Sequence, residues 1–178
     1  MDKQNHLVWM DLEMTGLNPD ADTIIEIATI ITDIDLNIIE LGPEYAIHQS
    51  DSVLDNMNDW CQVQHKKSGL VERVRNSKFS MEQAEADTLK FVKQFVKDGE
   101  TPLCGNSIHQ DRNFLKVHMN TLDSFLHYRN IDISSIKELA FRWYPDFPKF
   151  EKKGNHTALD DIKESIEELK YYREGLFK

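Results

Sequence analysis

Three strand-like segments at the start of the chain constrain its fold most strongly. Residues 7–14 (LVWMDLEM) begin as an apolar run and then alternate, which is typical of a buried strand that ends at a sheet edge. Residues 24–34 and 37–48 have the same strand character, and only Asp35 and Leu36 separate them. Connections this short favour antiparallel pairing, so we expect a three-stranded meander.

From about residue 51 the apolar residues repeat at helical spacing, with short strand patterns between them. Strands first and then alternating helix and strand predict an α/β fold with a mixed sheet. The length, 178 residues, suits one domain spanning 1–178. The later predicted elements are a helix from Ser80 to Asp98–Gly99, a strand at 102–107, a helix at 110–119, a helix capped by Ser135 with Glu138 and closed by Pro145, and a helix from Thr157 to about Tyr172.

Composition limits the setting in which the chain works. No apolar run approaches the roughly 20 residues that cross a bilayer, and the amino end (MDKQNH) is polar, so we expect a cytoplasmic protein. Cys61 and Cys104 lie far apart and lack the spacing of a zinc site or a disulfide framework. We expect both to be buried thiols.

Net charge argues against a long nucleic-acid partner. The chain has 21 basic and 31 acidic side chains, a formal charge of −10, which is the wrong sign for many phosphate contacts. A cluster of acids neutralised by metal ions would weaken this objection, and so would a substrate with few phosphates. The charge therefore restricts substrate length more than substrate class.

Asp11 and Glu13 are the first candidates for chemistry. Residues two apart in a strand point to the same face, so both carboxylates should converge at the end of the first strand. A site for two divalent ions needs several such oxygen ligands. With 31 acids in the chain, however, the pair alone is also compatible with an accidental surface cluster.

Residues 154–161 (GNHTALDD) place a histidine near a predicted helix start and two aspartates inside that helix. Five residues correspond to about 140° around a helix, so His156 and Asp161 cannot share a helical face. We expect His156 in the preceding loop and Asp161 on the helix. Spacing alone leaves the choice between Asp160 and Asp161 open.

Three blocks of the sequence, taken together, resemble a known family. Residues 11–17 (DLEMTGL), 107–115 (SIHQDRNFL) and 156–162 (HTALDDI) are similar to the three motifs of the DEDDh group of 3′→5′ exonucleases. The intervening blocks 58–70 and 127–145 extend the resemblance along the chain. It implies a ribonuclease-H-like fold, a five-stranded mixed sheet flanked by α-helices. It also implies hydrolysis of short RNA, especially dinucleotides, to mononucleotides with two divalent ions, Mg²⁺ or Mn²⁺.

The resemblance implies a role for each motif residue. Asp11 would bridge both ions, Glu13 and Asp161 would help to hold the ion that activates water, and Asp111 would serve the other. His156 would be the general base, which suits an imidazole because its unperturbed pKa is about 6.5.

The resemblance also implies a substrate site and a homodimer with composite active sites. Leu17 would be a wedge between two bases, and Tyr128 and Arg129 would reach the neighbouring subunit's active site. Taken without the family, Leu17 and Trp60 are interpreted as core residues, Arg129 as a solvated charge and Ser135 as a helix cap. The implied substrate-binding residues are Leu17, Trp60, His65, Ser107, Arg129, Ser134 and Ser135, with Ser107, Arg129, Ser134 and Ser135 around the 5′ phosphate.

Two other functions compete with this one. An exonuclease of the same group that acts on DNA ends or transfer-RNA tails should carry basic patches or aromatic platforms, but the basic clusters here are short. A non-catalytic scaffold should have lost at least one acid or the histidine, and all five are present.

Overall fold

A computed structural model of the protein describes residues 6–151 and 157–177. Its centre is a five-stranded mixed sheet with strand order β3-β2-β1-β4-β5, in which β1 pairs antiparallel with β2 and parallel with β4. The predicted α/β class, the mixed sheet and the β1-β2-β3 meander are confirmed. The strands are β1 (His6–Met14), β2 (Ile24–Asp33), β3 (Ile38–Ala46), β4 (Pro102–Gly105) and β5 (His127–Asp132).

Helices cover both faces of the sheet. Met10 on β1 packs with Phe114 and Leu122 on one face, and Trp9 packs with Ile162 and Ile166 on the other. This division follows from the two-residue period of a strand, which sends adjacent side chains to opposite faces. The helices are α1 (Asp51–Asp55), α2 (Asp59–Lys67), α3 (Leu70–Asn76), α4 (Met81–Val92), α5 (His109–His118), α6 (Asn120–Phe125), α7 (Ile133–Trp143) and α8 (Ala158–Leu176).

Strand β1 is central and fixes where the acidic pair emerges. Val8, Trp9 and Met10 are fully buried, and the Trp9 indole donates a hydrogen bond to Thr32 Oγ1 at 3.0 Å. The parallel pairing with β4 ends at Trp9 and Cys104, whereas β1 continues to Met14. Asp11 and Glu13 therefore lie beyond β4, where the sheet opens.

Two predicted helix boundaries are wrong. Helix α4 ends at Val92 rather than at Asp98, because the amides of Gln94 and Phe95 donate to carbonyls three residues back instead of four. Ser135 does not cap α7 but lies inside it. The cap is Asp132, whose carboxylate accepts a hydrogen bond from the Ser134 amide at 3.0 Å. Asp132 competes successfully because it ends β5 in extended backbone, the conformation that an N-cap residue needs.

Cysteine burial agrees with the sequence. Cys61 and Cys104 are both free and buried. Within residues 6–151 and 157–177, no helix is long and apolar enough to cross a membrane.

The Asp132 cap gives a stability prediction. Asp132→Ala should lower the free energy of unfolding by about 1 kcal/mol, the usual value of a lost N-cap, whereas Ser135→Ala should change it by less than about 0.5 kcal/mol. Urea unfolding of both variants is the measurement. A larger loss of unfolding free energy for Ser135→Ala than for Asp132→Ala would show that Ser135 is the N-cap of α7.

Candidate active site

Three carboxylates meet at the open end of β1. Asp11 and Glu13 project from the same face of the strand, and Asp161 approaches from the first turn of α8. One oxygen atom of each lies within 4.8 Å of the other two. Among the described residues, this group has the spacing that a bound metal ion requires.

Asp111 completes the acidic site from α5. It is 6% exposed, and its Oδ1 accepts a hydrogen bond from the Leu12 amide at 2.9 Å. Leu12 lies between the two acids of β1, so this bond holds the first turn of α5 against the end of the strand.

Burial and mutual repulsion raise the pKa values of three of these carboxyl groups. Burial raises the pKa of Asp11 well above its ordinary range, and Asp111 and Glu13 raise it further. Burial, Glu26 and Asp161 raise the pKa of Glu13 to about 8. Burial raises the pKa of Asp111 to about 7, although the Leu12 hydrogen bond opposes the rise. Hard divalent cations would supply the missing charge, since they prefer carboxylate oxygens, and the site therefore fits them.

Asp160 and Asp161, in the first turn of α8, have different surroundings. The Thr157 hydroxyl accepts from the Asp160 amide at 3.3 Å, and the Thr157 carbonyl accepts from the Asp161 amide at 2.9 Å. Asp160 forms an ion pair with Lys163 at 3.5 Å, whereas Asp161 joins the acidic cluster. His156, the predicted general base, lies outside the described residues.

A buried glutamate ties α8 to the sheet beside the site. Glu26 lies opposite Glu13 in the β1-β2 register, is fully buried and forms an ion pair with Arg73 of α3. Its Oε2 accepts from the Ala158 amide at 3.5 Å. Glu26 thus fixes the first residue of the helix that carries Asp161.

His65 and Trp60 both lie on α2 but in different environments. Trp60 is 67% exposed, whereas His65 is buried, with Nδ1 3.8 Å from Glu13 Oε2. Burial lowers the pKa of His65, which favours a neutral ring whose Nε2–H donates to the Met14 carbonyl at 3.0 Å. The structure thus places His65 behind Glu13.

The loop that carries Leu17 is held in place from behind. Leu17 is 71% exposed at its tip. Asp22 accepts hydrogen bonds from the Asn18 amide at 2.9 Å and the Thr15 hydroxyl at 3.3 Å, and His118 Nε2 donates to the Pro19 carbonyl at 3.0 Å. A large apolar side chain is therefore presented to solvent on a fixed loop.

Gly16 is part of the same arrangement. A Cβ at Gly16 would lie 2.4 Å from Asp22 Oδ2, so a larger residue would displace the carboxylate. The sequence did not single out Asp22, although an aspartate that closes a turn is its visible signal.

Ser107 and Ser134 form a second polar group, between β4 and α7. Their hydroxyl oxygens are 3.0 Å apart, and the Ser107 amide donates to Ser134 Oγ and to Asp132 Oδ1, each at 2.9 Å. Ser107 has a φ of 50°, which is uncommon for a residue with a side chain, and these bonds hold it there. Ser135, the next residue of α7, is exposed.

Strand β5 forms the edge of the sheet and exposes the remaining predicted residues. Tyr128 is 74% exposed, and the Arg129 guanidinium lies 5.3 Å from its ring centroid. Arg112, which the sequence did not single out, is buried and donates to the His127 carbonyl at 2.7 Å and to Asp123 at 2.8 Å. Arg112 thereby fixes the backbone of this edge.

Comparison with known proteins agrees with the geometry. The family model RNase_T, described as Exonuclease, matches residues 8–169. The fold resembles exonuclease I from Methylocaldum szegediense, with a TM-score of 0.71 and 18% identity over 98% of this chain. It also resembles E. coli exonuclease I in complex with a dT13 oligonucleotide, with a TM-score of 0.73 and 16% identity over 95% of this chain. This chain spans only 41% of either of those chains.

The family match and the acidic site define the class: the protein is a nuclease that hydrolyses phosphodiester bonds. More similar relatives narrow the class. The oligoribonuclease of Pseudomonas fluorescens is 56% identical over 179 residues, covering 100% of this chain and 99% of its own. That of Alcanivorax borkumensis is 56% identical over 174 residues, covering 97% and 96%. The chain belongs to the oligoribonuclease branch of the exonuclease family.

Charge repulsion in the metal-free site predicts a pH-dependent stability. Between about pH 4.5 and pH 8, native Glu13 keeps a proton that the unfolded chain loses, so stability falls as pH rises through this window. Glu13→Gln should therefore raise the melting temperature in EDTA at pH 8.5 by roughly 2–4 °C, the shift that about 1 kcal/mol produces in a domain of this size. The gain should shrink towards pH 5.

Calorimetry of Glu13→Gln and of Glu40→Gln, an exposed glutamate on β3, provides the matched comparison. Equal shifts for Glu13→Gln at pH 5 and pH 8.5 would show that repulsion at this carboxylate does not limit stability.

The different surroundings of the two aspartates predict different metal affinities. Asp161→Asn should weaken Mn²⁺ binding at least about tenfold, equivalent to about 1.4 kcal/mol, because it removes a charged oxygen ligand. Asp160→Asn removes only a surface partner of Lys163 and should leave the affinity within about twofold. Isothermal titration calorimetry would measure both, and the reverse order of effects would refute the choice of Asp161.

Proposed function

We propose that the protein is a two-metal-ion 3′→5′ exoribonuclease that degrades short RNA, dinucleotides above all, to mononucleotides. The observation that carries the proposal is the convergence of Asp11, Glu13 and Asp161 within 4.8 Å, with Asp111 beside them. Relatives named oligoribonuclease, 56% identical over their full length, support the same substrate class.

The four acids would hold two divalent ions, Mg²⁺ or Mn²⁺, which when bound activate a water molecule, neutralise charge on the phosphate and stabilise the departing 3′ oxygen. His156 would accept the proton of the attacking water. In the sequence, His156 directly precedes Thr157, which is the N-cap of α8, the helix that carries Asp161. Glu26 would keep that helix in register with β1 through the Ala158 amide.

Exposed apolar side chains would bind the bases. Leu17 and Trp60 are 71% and 67% exposed, so both present apolar surface against which a base could pack or stack. Leu17 is suited to lie between two bases because its loop is fixed by Asp22 and His118. His65 would contribute indirectly, by holding the backbone at Met14, the residue after Glu13, through its hydrogen bond to the Met14 carbonyl.

The terminal 5′ phosphate would be bound where β4, β5 and α7 meet. The hydroxyl oxygens of Ser107 and Ser134 lie 3.0 Å apart there, and Ser135 is exposed beside them. Arg129, exposed on β5, would reach the phosphate from the neighbouring subunit. A phosphate held in this way marks the end of the substrate. With a net charge of −10, the protein attracts the additional phosphates of longer RNA poorly.

Substrate length provides the test. Wild-type kcat/KM should fall steeply from two to seven nucleotides, and Arg129→Ala should lower it on the dinucleotide by about one to two decades, the value of about 1.5–3 kcal/mol for a charge-assisted contact. Longer RNA should lose less, so the variant's length profile should flatten. Arg173→Ala, on α8 and paired with Asp35, is the matched control and should keep the wild-type profile. Equal wild-type values along the series would instead indicate a general exonuclease.

A homodimer with shared active sites is the second part of the proposal. Tyr128 projects from β5, the edge strand, and within the described part of the chain no further strand pairs with its outer side. Helix α7 adds exposed apolar residues, with Phe141 61% and Trp143 67% exposed. An exposed edge strand and exposed apolar side chains on the helix that follows it favour association, and a two-fold arrangement would give each site residues from both subunits.

Mixing two inactive variants tests the shared site. Asp11→Ala with Tyr128→Ala should recover activity, because each heterodimer would keep one site with an intact acid and an intact tyrosine. Asp11→Ala with Glu13→Ala is the control. It should stay inactive, because each site takes all of its acids from one subunit, and each subunit of this heterodimer lacks one of them. A wild-type monomer in sedimentation that is fully active at nanomolar concentration would contradict the shared site.

A further inference from the structure

Asn106 lies directly behind the Ser107–Ser134 pair, and its side-chain amide is oriented by α8. Its Nδ2 donates to Ser165 Oγ at 2.8 Å and to Glu168 Oε2 at 3.1 Å. The Ser165 hydroxyl already donates to the Asp161 carbonyl at 2.8 Å, so towards Asn106 it can only accept.

Glu168 is the second acceptor, and it is almost completely buried, at 1% exposed. Its Oε1 lies 3.0 Å from Lys137 Nζ and accepts from the Tyr172 hydroxyl at 3.3 Å. An ion-paired carboxylate accepts hydrogen bonds and does not donate them. Both neighbours of Asn106 on α8 therefore require its nitrogen, and the amide cannot flip without two unfavourable contacts.

This orientation decides what Asn106 presents to the serine pair. Its Oδ1 faces Ser134 and accepts from the Ser134 hydroxyl at 3.1 Å. Ser134 Oγ in turn accepts from the amide of Ser107, the residue with the positive φ. A continuous series of hydrogen bonds therefore runs from buried Glu168 to the backbone of Ser107.

We propose that Asn106, oriented by Glu168, is a positioning residue that sets the affinity of the Ser107–Ser134 pair for a terminal 5′ phosphate. The inference rests on the proposed function, in which this pair binds the phosphate. Asn106 would not touch the substrate. Because Asn106 takes the single proton of the Ser134 hydroxyl, Ser134 Oγ is left as the acceptor that holds the Ser107 amide, and the Ser107 hydroxyl is kept in place to donate to an arriving anion with little loss of conformational entropy.

The same hydrogen bonds connect the two ends of the substrate site. Ser165 contacts Asn106 on one side and the Asp161 carbonyl on the other. The phosphate-binding pair and one of the metal-binding acids are thereby held by adjacent turns of α8. The distance between the terminal phosphate and the cleaved bond would then be fixed by a single helix.

Affinity for dinucleotides with and without a 5′ phosphate separates positioning from a general structural role. Dissociation constants would be measured in Ca²⁺ by titration calorimetry for wild type, Asn106→Ala and Glu168→Gln. Asn106→Ala should reduce the preference for the phosphorylated dinucleotide about tenfold, the scale of one hydrogen bond to a charged group. Glu168→Gln should reduce it less, because Ser165 still orients the amide. Glu167→Gln, on the same helix but exposed and paired with Lys170, should keep the wild-type preference.

A double-mutant cycle covers the case in which Asn106→Ala does not fold. Since Glu168 acts through Asn106 and Ser134, Glu168→Gln combined with Ser134→Ala should reduce the preference no more than Ser134→Ala alone. Additive losses, an equal weakening of both dinucleotides, or a wild type without a phosphate preference would each overturn the inference. An error in the proposed exonuclease activity would be seen separately, because the wild-type protein would then hydrolyse neither dinucleotide in Mn²⁺.

Discussion

The concentration of like charge at the end of β1 is the constraint on which the rest of the structure depends. Four carboxylates are held together where burial raises the pKa of Glu13 to about 8 and that of Asp111 to about 7. No chain gains stability from such an arrangement without counter-ions. The surrounding fold resists the repulsion through the Asp111–Leu12 hydrogen bond and the Glu26–Arg73 ion pair. The metal-free protein accepts a local cost, and bound cations would remove it.

Much of the sheet could be predicted because its strands are apolar. The buried runs in β1 and β2 gave clear strand patterns, and the two-residue period placed Asp11 and Glu13 on one face. Strand β5 (HYRNID) has no such pattern, because it is an edge strand with mostly exposed side chains that do not pack into the core. The cap of α7 was misassigned for a related reason. Ser135 matches a capping motif, but Asp132 occupies the junction where strand becomes helix.

The residues of the candidate site could likewise be predicted only in part. Residues in the motifs that resemble the exonuclease family, such as Asp11 and Asp161, could be named in advance from that resemblance. Residues that support them could not, since their partners are distant in sequence. Asn106 and Glu168 are 62 positions apart, and Arg112 becomes meaningful only beside the β5 carbonyls. Spacing alone left the choice between Asp160 and Asp161 open, whereas the family resemblance implies Asp161, and in the structure Asp161 lies with Asp11 and Glu13.

The central claim is that these acids form a single two-ion site at the end of β1. Anomalous diffraction from crystals soaked in Mn²⁺ with a non-hydrolysable dinucleotide tests it most directly. The account predicts two peaks that share Asp11, one bounded by Glu13 and Asp161 and the other towards Asp111. A single peak, or peaks away from Asp11, would contradict it.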